Sequence, residues 1–260
     1  MNIFKWLPVF VFAVFIEPVF PQATETEFYV LKVYTLADET QESVTDTYLK
    51  ESYLPALKNR NISQVGVFKL RPEGQKDSIR QVFVLFPLSS LNELAVLEET
   101  LFNEESLQNA ANPFINAPHD QPPYVRMETI LMKAFKEMPK MKPSPVEGPR
   151  EDRVYELRSY ESPTDALYRN KVHMFNEGGE VTLFDTLGFN AVFYADVLAG
   201  AKMPNLMYMT TFKDMKTRER LWKDFVDSAK WQELSSDPFY QNNVSHADIL
   251  LLYPTPYSDY

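Results

Sequence analysis

The sequence contains the same succession of strand and helix patterns twice, and this repeat constrains the fold more than any other feature. The segment FYVLKVY (Phe28–Tyr34) recurs as VYELRSY (Val154–Tyr160), with alternating side chains and tyrosine at matched positions. Further strand patterns recur about 120 to 126 residues apart, which indicates an internal duplication. The remaining matched pairs are Ser63–Leu70 with Gly188–Val197, Arg80–Leu88 with Asn205–Phe212, and Arg126–Phe135 with Ser245–Pro254.

Helical patterns follow the first and the third strand of each half. They cover about Glu42–Asn59 and a segment from Ser89 in the first half, and about Pro163–Thr186 and Lys213–Leu234 in the second. Each half therefore has the order β-α-β-β-α-β, which is the ferredoxin-like order. A sheet with helices on one face must cover its other face. We therefore predict an α+β protein of two tandem ferredoxin-like domains, packed sheet to sheet as a barrel-like pseudo-dimer.

The ends of the chain and the junction of the repeats complete the predicted domain map. Residues 1–23 have one lysine and then an apolar run, Trp6–Ile16, which is typical of a secretory signal peptide. The alternative is an uncleaved anchor. Residues 137–150 contain four prolines and are predicted to link domains at 24–136 and 151–260. We expect an exported protein, periplasmic or secreted, with no membrane span after cleavage.

Composition excludes several kinds of site. The 260 residues include no cysteine, so thiolate nucleophiles, iron–sulfur clusters and cysteine-based zinc sites are excluded. The only histidines are His119, His173 and His246, and an all-histidine metal site would need every one of them, so we predict no metal. The net charge of −10 disfavours nucleic acid as a partner, because phosphates would be repelled.

The second half resembles a known family. Tyr155-Glu156-Leu157-Arg158 with Tyr160, then Arg218-Glu219-Arg220, and Trp231-Gln232 near a helix end, are similar to the signature of the NIPSNAP domain. The first half resembles it only in its strand pattern and spacing. The resemblance implies a fold similar to the dimeric α/β-barrels, here formed within one chain. Animal members are linked to vesicle transport and mitochondrial quality control, which an exported tandem protein need not share.

Glu156 and Arg158 form the first candidate site. Two residues apart on a strand, they share one face at a spacing of roughly 6.6–7 Å. They could clamp an anion, because arginine offers a planar fork of donors. They could equally be a structural ion pair. Together with Tyr160 they form the more polar face of the strand, which we expect to look into the space between the sheets or onto an exposed flank.

Three further residues complete the predicted ligand-binding set. His173 and Glu177 are four residues apart on a predicted helix, so His173 could act as a general base or as a metal ligand with Glu177 as the second ligand. The alternative is a solvated surface histidine. Gly178-Gly179 would end or kink that helix. Tyr208, on a strand, could supply a polar group to an internal cavity.

Three functions remain open at the level of sequence. The first is a binding protein that holds a small molecule between its sheets, through Arg158, Glu156, Tyr160, His173, Glu177 and Tyr208. The second, implied by the resemblance, is a cofactor-independent oxygenase or a haem-dependent enzyme of the dimeric α/β-barrel type; no cofactor can be named from the sequence. The third is a non-catalytic scaffold. The chain is expected to act as a monomeric pseudo-dimer or to form a higher homo-oligomer.

Overall fold

Eight antiparallel strands close into one barrel. The computed structural model describes residues 26–74, 79–103, 107 and 112–260. The predicted signal peptide lies outside these residues. Among the described helices, none combines the length and the apolar character needed to cross a bilayer. The strands are β1 (Phe28–Leu36), β2 (Gly66–Leu70), β3 (Arg80–Leu88), β4 (Arg126–Ala134), β5 (Val154–Glu161), β6 (Asn190–Ala199), β7 (Asn205–Phe212) and β8 (His246–Pro254).

The order of the strands confirms the duplicated fold. The barrel runs β1-β3-β2-β8-β5-β7-β6-β4, so each half contributes four neighbouring strands with its first and third at the centre. The halves meet at two seams. At one seam Phe68–Leu70 of β2 pairs with Leu252–Pro254 of β8, and at the other β4 pairs with β6. The edges of each sheet are thereby paired with the other half, and closure leaves no free edge.

Helices cover the outside of the barrel. They are α1 (Glu39–Tyr48), α2 (Leu54–Lys58), α3 (Leu91–Phe102), α4 (Asp165–Phe175), α5 (Glu180–Thr186), α6 (Met215–Asp227) and α7 (Ala229–Ser236). One π-helical turn, Leu49–Tyr53, joins α1 to α2. The segment predicted as one helix at 163–186 forms two helices. Gly179, which lies between them, adopts a φ of 88°, and this conformation interrupts the helical backbone. The predicted helix at 213–234 likewise divides at Ser228, whose backbone is extended.

The barrel interior is apolar, and this decides which face of each strand points inward. Tyr155 and Leu157 of β5 pack inside with Tyr29, Leu31 and Phe83. Alternation then sends the neighbouring side chains outward, beneath the helices. Two further apolar clusters fill the spaces between the barrel wall and the helices of the two halves.

The linker and the C-terminal residues close one end of the barrel. Met141, within the predicted linker, is buried in the interior cluster, and the Lys142 amide donates to the Val192 carbonyl at 3.0 Å. The ring of the last residue, Tyr260, lies 5.9 Å from that of Phe68 and 6.4 Å from that of Tyr155. The proline-rich segment therefore packs against the barrel while it connects the two halves.

Candidate functional site

Glu156 lies at the centre of a buried ionic cluster beneath α6. Its side chain is 0% exposed. Arg218 of α6 donates to both carboxylate oxygens, at 2.6 and 3.2 Å, and Arg158 donates from Nε at 2.7 Å. The indole nitrogen of Trp222 adds a bond of 2.9 Å. The carboxylate thus receives several charge-assisted bonds, which is the condition for keeping a buried charge.

Arg158 links this carboxylate to two tyrosines. Its guanidinium carbon lies 3.6 Å from the centroid of the Trp222 ring, and Nη1 donates to the Tyr160 hydroxyl at 2.7 Å. The hydroxyls of Tyr160 and Tyr208 are 3.0 Å apart. Burial opposes the charge of Arg158, but the nearby Tyr208, Tyr160 and Glu156 raise its pKa above the usual value. Burial also raises the pKa of Tyr208 well above its usual value, so that phenol stays protonated.

The expected direction of this polar face is wrong. Glu156, Arg158 and Tyr160 do not look into the space between the sheets, nor onto an exposed flank. They lie on the helix side of the barrel wall, because the interior is apolar and could not satisfy a carboxylate. The helix side offers Arg218 and Trp222 as donors.

The first half has its own version of this cluster. Lys32, two residues beyond Val30 as Arg158 is beyond Glu156, is buried and pairs with Glu98 of α3 at 2.9 Å. Glu98 lies eight residues after the N-cap Ser90, as Trp222 lies eight after the N-cap Asp214. Both halves therefore bury a cation on their first strand, and its acid lies on the same strand in the second half but on a helix in the first.

His173 and Glu177 lie apart from this cluster. Both side chains are exposed. The Nδ1 of His173 is 2.9 Å from the Tyr240 hydroxyl, and Glu177 pairs with Lys136 at 2.5 Å. The structure therefore brings together four of the six predicted residues, Glu156, Arg158, Tyr160 and Tyr208, and leaves His173 and Glu177 at the surface.

A separate cavity opens at the end of the barrel opposite Tyr260. Its volume is about 210 Å³. Apolar side chains from both halves form most of its wall, and polar side chains lie toward the opening. The apolar lining includes Leu31, Val33, Phe83, Ile130, Leu157, Met207 and Leu250, and the polar lining includes Gln81, Glu128, Ser159, Lys202, Asn205 and Asp248.

Asn205 gives the cavity an unsatisfied hydrogen-bonding group. Its side chain is buried and donates from Nδ2 to the Ser159 hydroxyl at 2.8 Å. Its Oδ1 has no hydrogen-bond partner. A buried acceptor without a donor costs about 1–3 kcal/mol. A residue of the cavity lining therefore contains a buried acceptor that lacks a donor.

Charged residues surround the cavity opening. Lys202 forms an ion pair with Oδ2 of Asp248, and His246 lies 3.1 Å from Oδ1. Burial alone would raise the pKa of Asp248, but these two partners outweigh it and hold that pKa below its usual value. Glu161 of β5 stands directly opposite His246 of β8.

An alternating strand pattern in the sequence indicates these residues, although net charge and known motifs do not. In HADILLLY, His246, Asp248, Leu250 and Leu252 alternate onto one face, which the apolar members mark as the interior. Polar residues at the start of an otherwise inward apolar face indicate the mouth of a barrel. Asn205 begins β7 in the same way, ahead of Met207.

Solved structures with the same architecture have low sequence identity. A candidate monooxygenase from Fusobacterium nucleatum superposes with a TM-score of 0.58 at 6% identity, covering 89% of this chain and 93% of its own. A candidate monooxygenase from Lactobacillus acidophilus gives 0.56 at 10% identity, covering 88% and 94%. An anthrone oxidase-like protein gives 0.53 at 10% identity, covering 90% and 93%. These likenesses show the fold.

The comparison with known families concerns the second half of the chain. No curated protein matches the chain. Residues 155–259 match the NIPSNAP family model. The matched region begins at the Tyr-Glu-Leu-Arg motif that builds the ionic cluster, and it includes Arg218, which completes that cluster. The second half of the chain is therefore similar to the NIPSNAP domain over residues 155–259.

Proposed function

We propose that this protein binds a small, mainly apolar molecule in the barrel cavity, with one donor group of that molecule bonded to Asn205. The observation that carries the proposal is that Asn205, which lines the cavity, has a buried Oδ1 without a hydrogen-bond partner. A hydroxyl or amide donor there would remove the cost of a buried, unsatisfied acceptor. Binding sites of this kind have apolar walls and a few placed polar groups.

Size and wall chemistry narrow the ligand class. The cavity of about 210 Å³ is smaller than the roughly 300–1,000 Å³ of drug-sized sites. Phe83, Leu157 and Met207 would contact the apolar body of the ligand. A small hydroxylated ring compound or a short-chain alcohol fits these limits.

Binding can be measured with a panel of small phenols and alcohols in EDTA-containing buffer. We expect a phenol to raise the melting temperature, and Asn205→Ala to weaken its binding by about tenfold, since a lost hydrogen bond is worth about 1–1.5 kcal/mol. The matched control is Asn190→Ala, because Asn190 of β6 donates to the Thr211 carbonyl and does not line the cavity. Equal affinity in the wild type and Asn205→Ala, or no binding by any panel member, would overturn the proposal.

Oxidation of the bound molecule by O2 is a second candidate function. The full-length structural neighbours named as candidate monooxygenases or as an anthrone oxidase-like protein favour it. Haem chemistry is less well supported, since His119, His173 and His246 are all exposed and none is buried to serve as an axial ligand. Oxygen uptake with a phenol that binds would support an oxidase; binding without uptake would support a carrier.

Two predicted properties of the whole chain remain proposals. Export rests on the signal-like residues 1–23, and mass spectrometry of the mature N-terminus would test it. Ligand binding by Arg158, Glu156, Tyr160, Tyr208, His173 and Glu177 would be tested with the same panel on Arg158→Ala. A scaffold role would be favoured if neither the cavity nor this cluster binds any compound.

A further inference from the structure

We propose that the cavity mouth binds a divalent transition-metal ion through Glu161, His246 and Asp248. One donor atom from each of these side chains lies within 4.8 Å of the other two. Zinc bonds to nitrogen and oxygen ligands are about 2.0–2.2 Å, so two donors on one tetrahedral ion lie about 3.3–3.6 Å apart. Small side-chain rotations would therefore bring all three donors onto a single ion.

The backbone places these donors on adjacent strands. Glu161 is directly opposite His246 in the pairing of β5 with β8, and Asp248 follows His246 by two residues. Since side chains two residues apart share a face, all three point to the interior side of the barrel wall. The scaffold is thus two paired strands rather than a loop, which favours precise ligand placement.

Asn205 provides an independent indication of a missing ligand here, because one of its polar atoms has no hydrogen-bond partner. It stands directly opposite Glu161 in the pairing of β5 with β7, on the side away from His246. Its residue is 3% exposed, and its Oδ1 has no hydrogen-bond partner. Asn205 lines the same cavity as Asp248. A carbonyl oxygen with no donor, on the residue directly opposite Glu161, is suited to join that carboxylate as a ligand of a cation.

Lys202 supplies the positive charge at this position in the metal-free protein. Its ammonium pairs with Asp248, while its side chain is 52% exposed. An ion pair exposed to this extent contributes little, so an incoming cation can displace the ammonium at small cost. Lys202 would then act as a competitor of the metal ion, and its removal should strengthen metal binding.

The donor types select among metals. The site has one imidazole nitrogen, two carboxylates and an amide oxygen, with no sulfur ligand. Imidazole suits zinc and other transition metals, whereas Mg²⁺ and Ca²⁺ prefer all-oxygen sites. We expect Zn²⁺ to bind more tightly than Mn²⁺, and both more tightly than Mg²⁺. An ion bonded to Asn205 Oδ1 would compete with the proposed ligand for that oxygen, so this inference goes beyond the proposed function and is tested apart from it.

Isothermal titration of Zn²⁺ into the full chain, stripped with EDTA and without any cavity ligand, tests the site. We expect one ion per chain, at least tenfold weaker binding in His246→Ala and in Asp248→Asn, and tighter binding in Lys202→Met. His173→Ala is the matched control, because His173 is an exposed histidine bonded to Tyr240 outside the mouth. Circular dichroism and melting curves would verify that each variant is folded.

Clear results would overturn the metal site. Absence of a bound ion, unchanged affinity in His246→Ala, or an equal loss in His173→Ala would each do so. Unchanged affinity in Lys202→Met would refute the competing role of that lysine. Phenol binding in EDTA is scored separately, so failure of the metal site and failure of the proposed ligand cavity are distinguishable.

Discussion

At the scale of single residues, buried charge is the feature that most needs explanation. Glu156 in one half and Lys32 in the other are charged side chains removed from water. Each is retained because a helix residue pairs with it, Arg218 or Glu98 respectively. The first half has Val30 at the position that matches Glu156, and the acid that pairs with its buried cation is Glu98 on a helix. The difference between the repeats is thus no argument for a ligand at Arg158.

Neutralising Glu156 should destabilise the fold strongly. In Glu156→Gln the shape is kept, but Arg158 and Arg218 lose their common counter-charge in a buried setting. We expect a loss of about 3 kcal/mol in the free energy of unfolding, as when one partner of a buried pair is removed. Urea denaturation would measure this loss.

The control for this change is Glu233→Gln, which removes an exposed partner of Lys230 on α7. Exposed pairs of this kind contribute little, so we expect its denaturation midpoint to match that of the wild type. If Glu156→Gln were as stable as this control, the ionic cluster would have no structural role, and a ligand-binding role for Arg158 would gain support.

At the scale of elements, the segment after β8 extends the barrel wall and closes one end of the barrel. The amides of Thr255 and Asp259 donate to the carbonyls of Val67 and Val65, continuing the edge beside the short strand β2. Nη1 of Arg150 donates to the Thr255 and Ser258 carbonyls, at 3.0 Å each. These bonds hold the Tyr260 ring inside the end of the barrel.

Removing the Tyr260 ring should open this end of the core. We expect Tyr260→Ala to lose about 3 kcal/mol, the lower range for deleting a buried aromatic side chain. Tyr260→Phe is the matched control, because the hydroxyl of Tyr260 is buried without a partner and its removal should be neutral or stabilising. Thermal unfolding would measure both. A large loss in Tyr260→Phe would show that the hydroxyl has a partner in solution.

Strand identity could be predicted from sequence because each strand alternates and each alternation recurs in the second half. The facing direction could not be predicted for VYELRSY, since both of its faces contain tyrosine and only the surrounding packing distinguishes them. The cavity as a whole could not be predicted either, although the pattern of β8 indicates its mouth. Its wall combines residues from seven strands, such as Leu31, Phe83 and Leu250, whose proximity depends on how the barrel closes.

At the scale of the whole molecule, the two halves complete one another rather than merely touch. Each half alone would have two unpaired edge strands, β2 and β4 in the first and β6 and β8 in the second. The interior cluster draws on both halves, with Tyr29 against Phe193 at 5.4 Å and Phe68 against Tyr155 at 4.8 Å between ring centroids. Closure therefore buries the apolar face of each sheet and pairs the four edge strands, β2 with β8 and β4 with β6.

This mutual completion predicts the behaviour of an isolated half. Residues 151–260 alone would expose Tyr155, Leu157 and Met209 together with the edges of β6 and β8. Exposed apolar sheet faces and free edges associate with another copy. We expect this fragment to form a homodimer that re-creates the barrel, and light scattering after size-exclusion chromatography would give its mass. The full chain is the control. Its four edge strands are already paired, so we expect it not to dimerise through them. A stable, monomeric fragment would mean that closure with the first half is not required to bury the interior of the second.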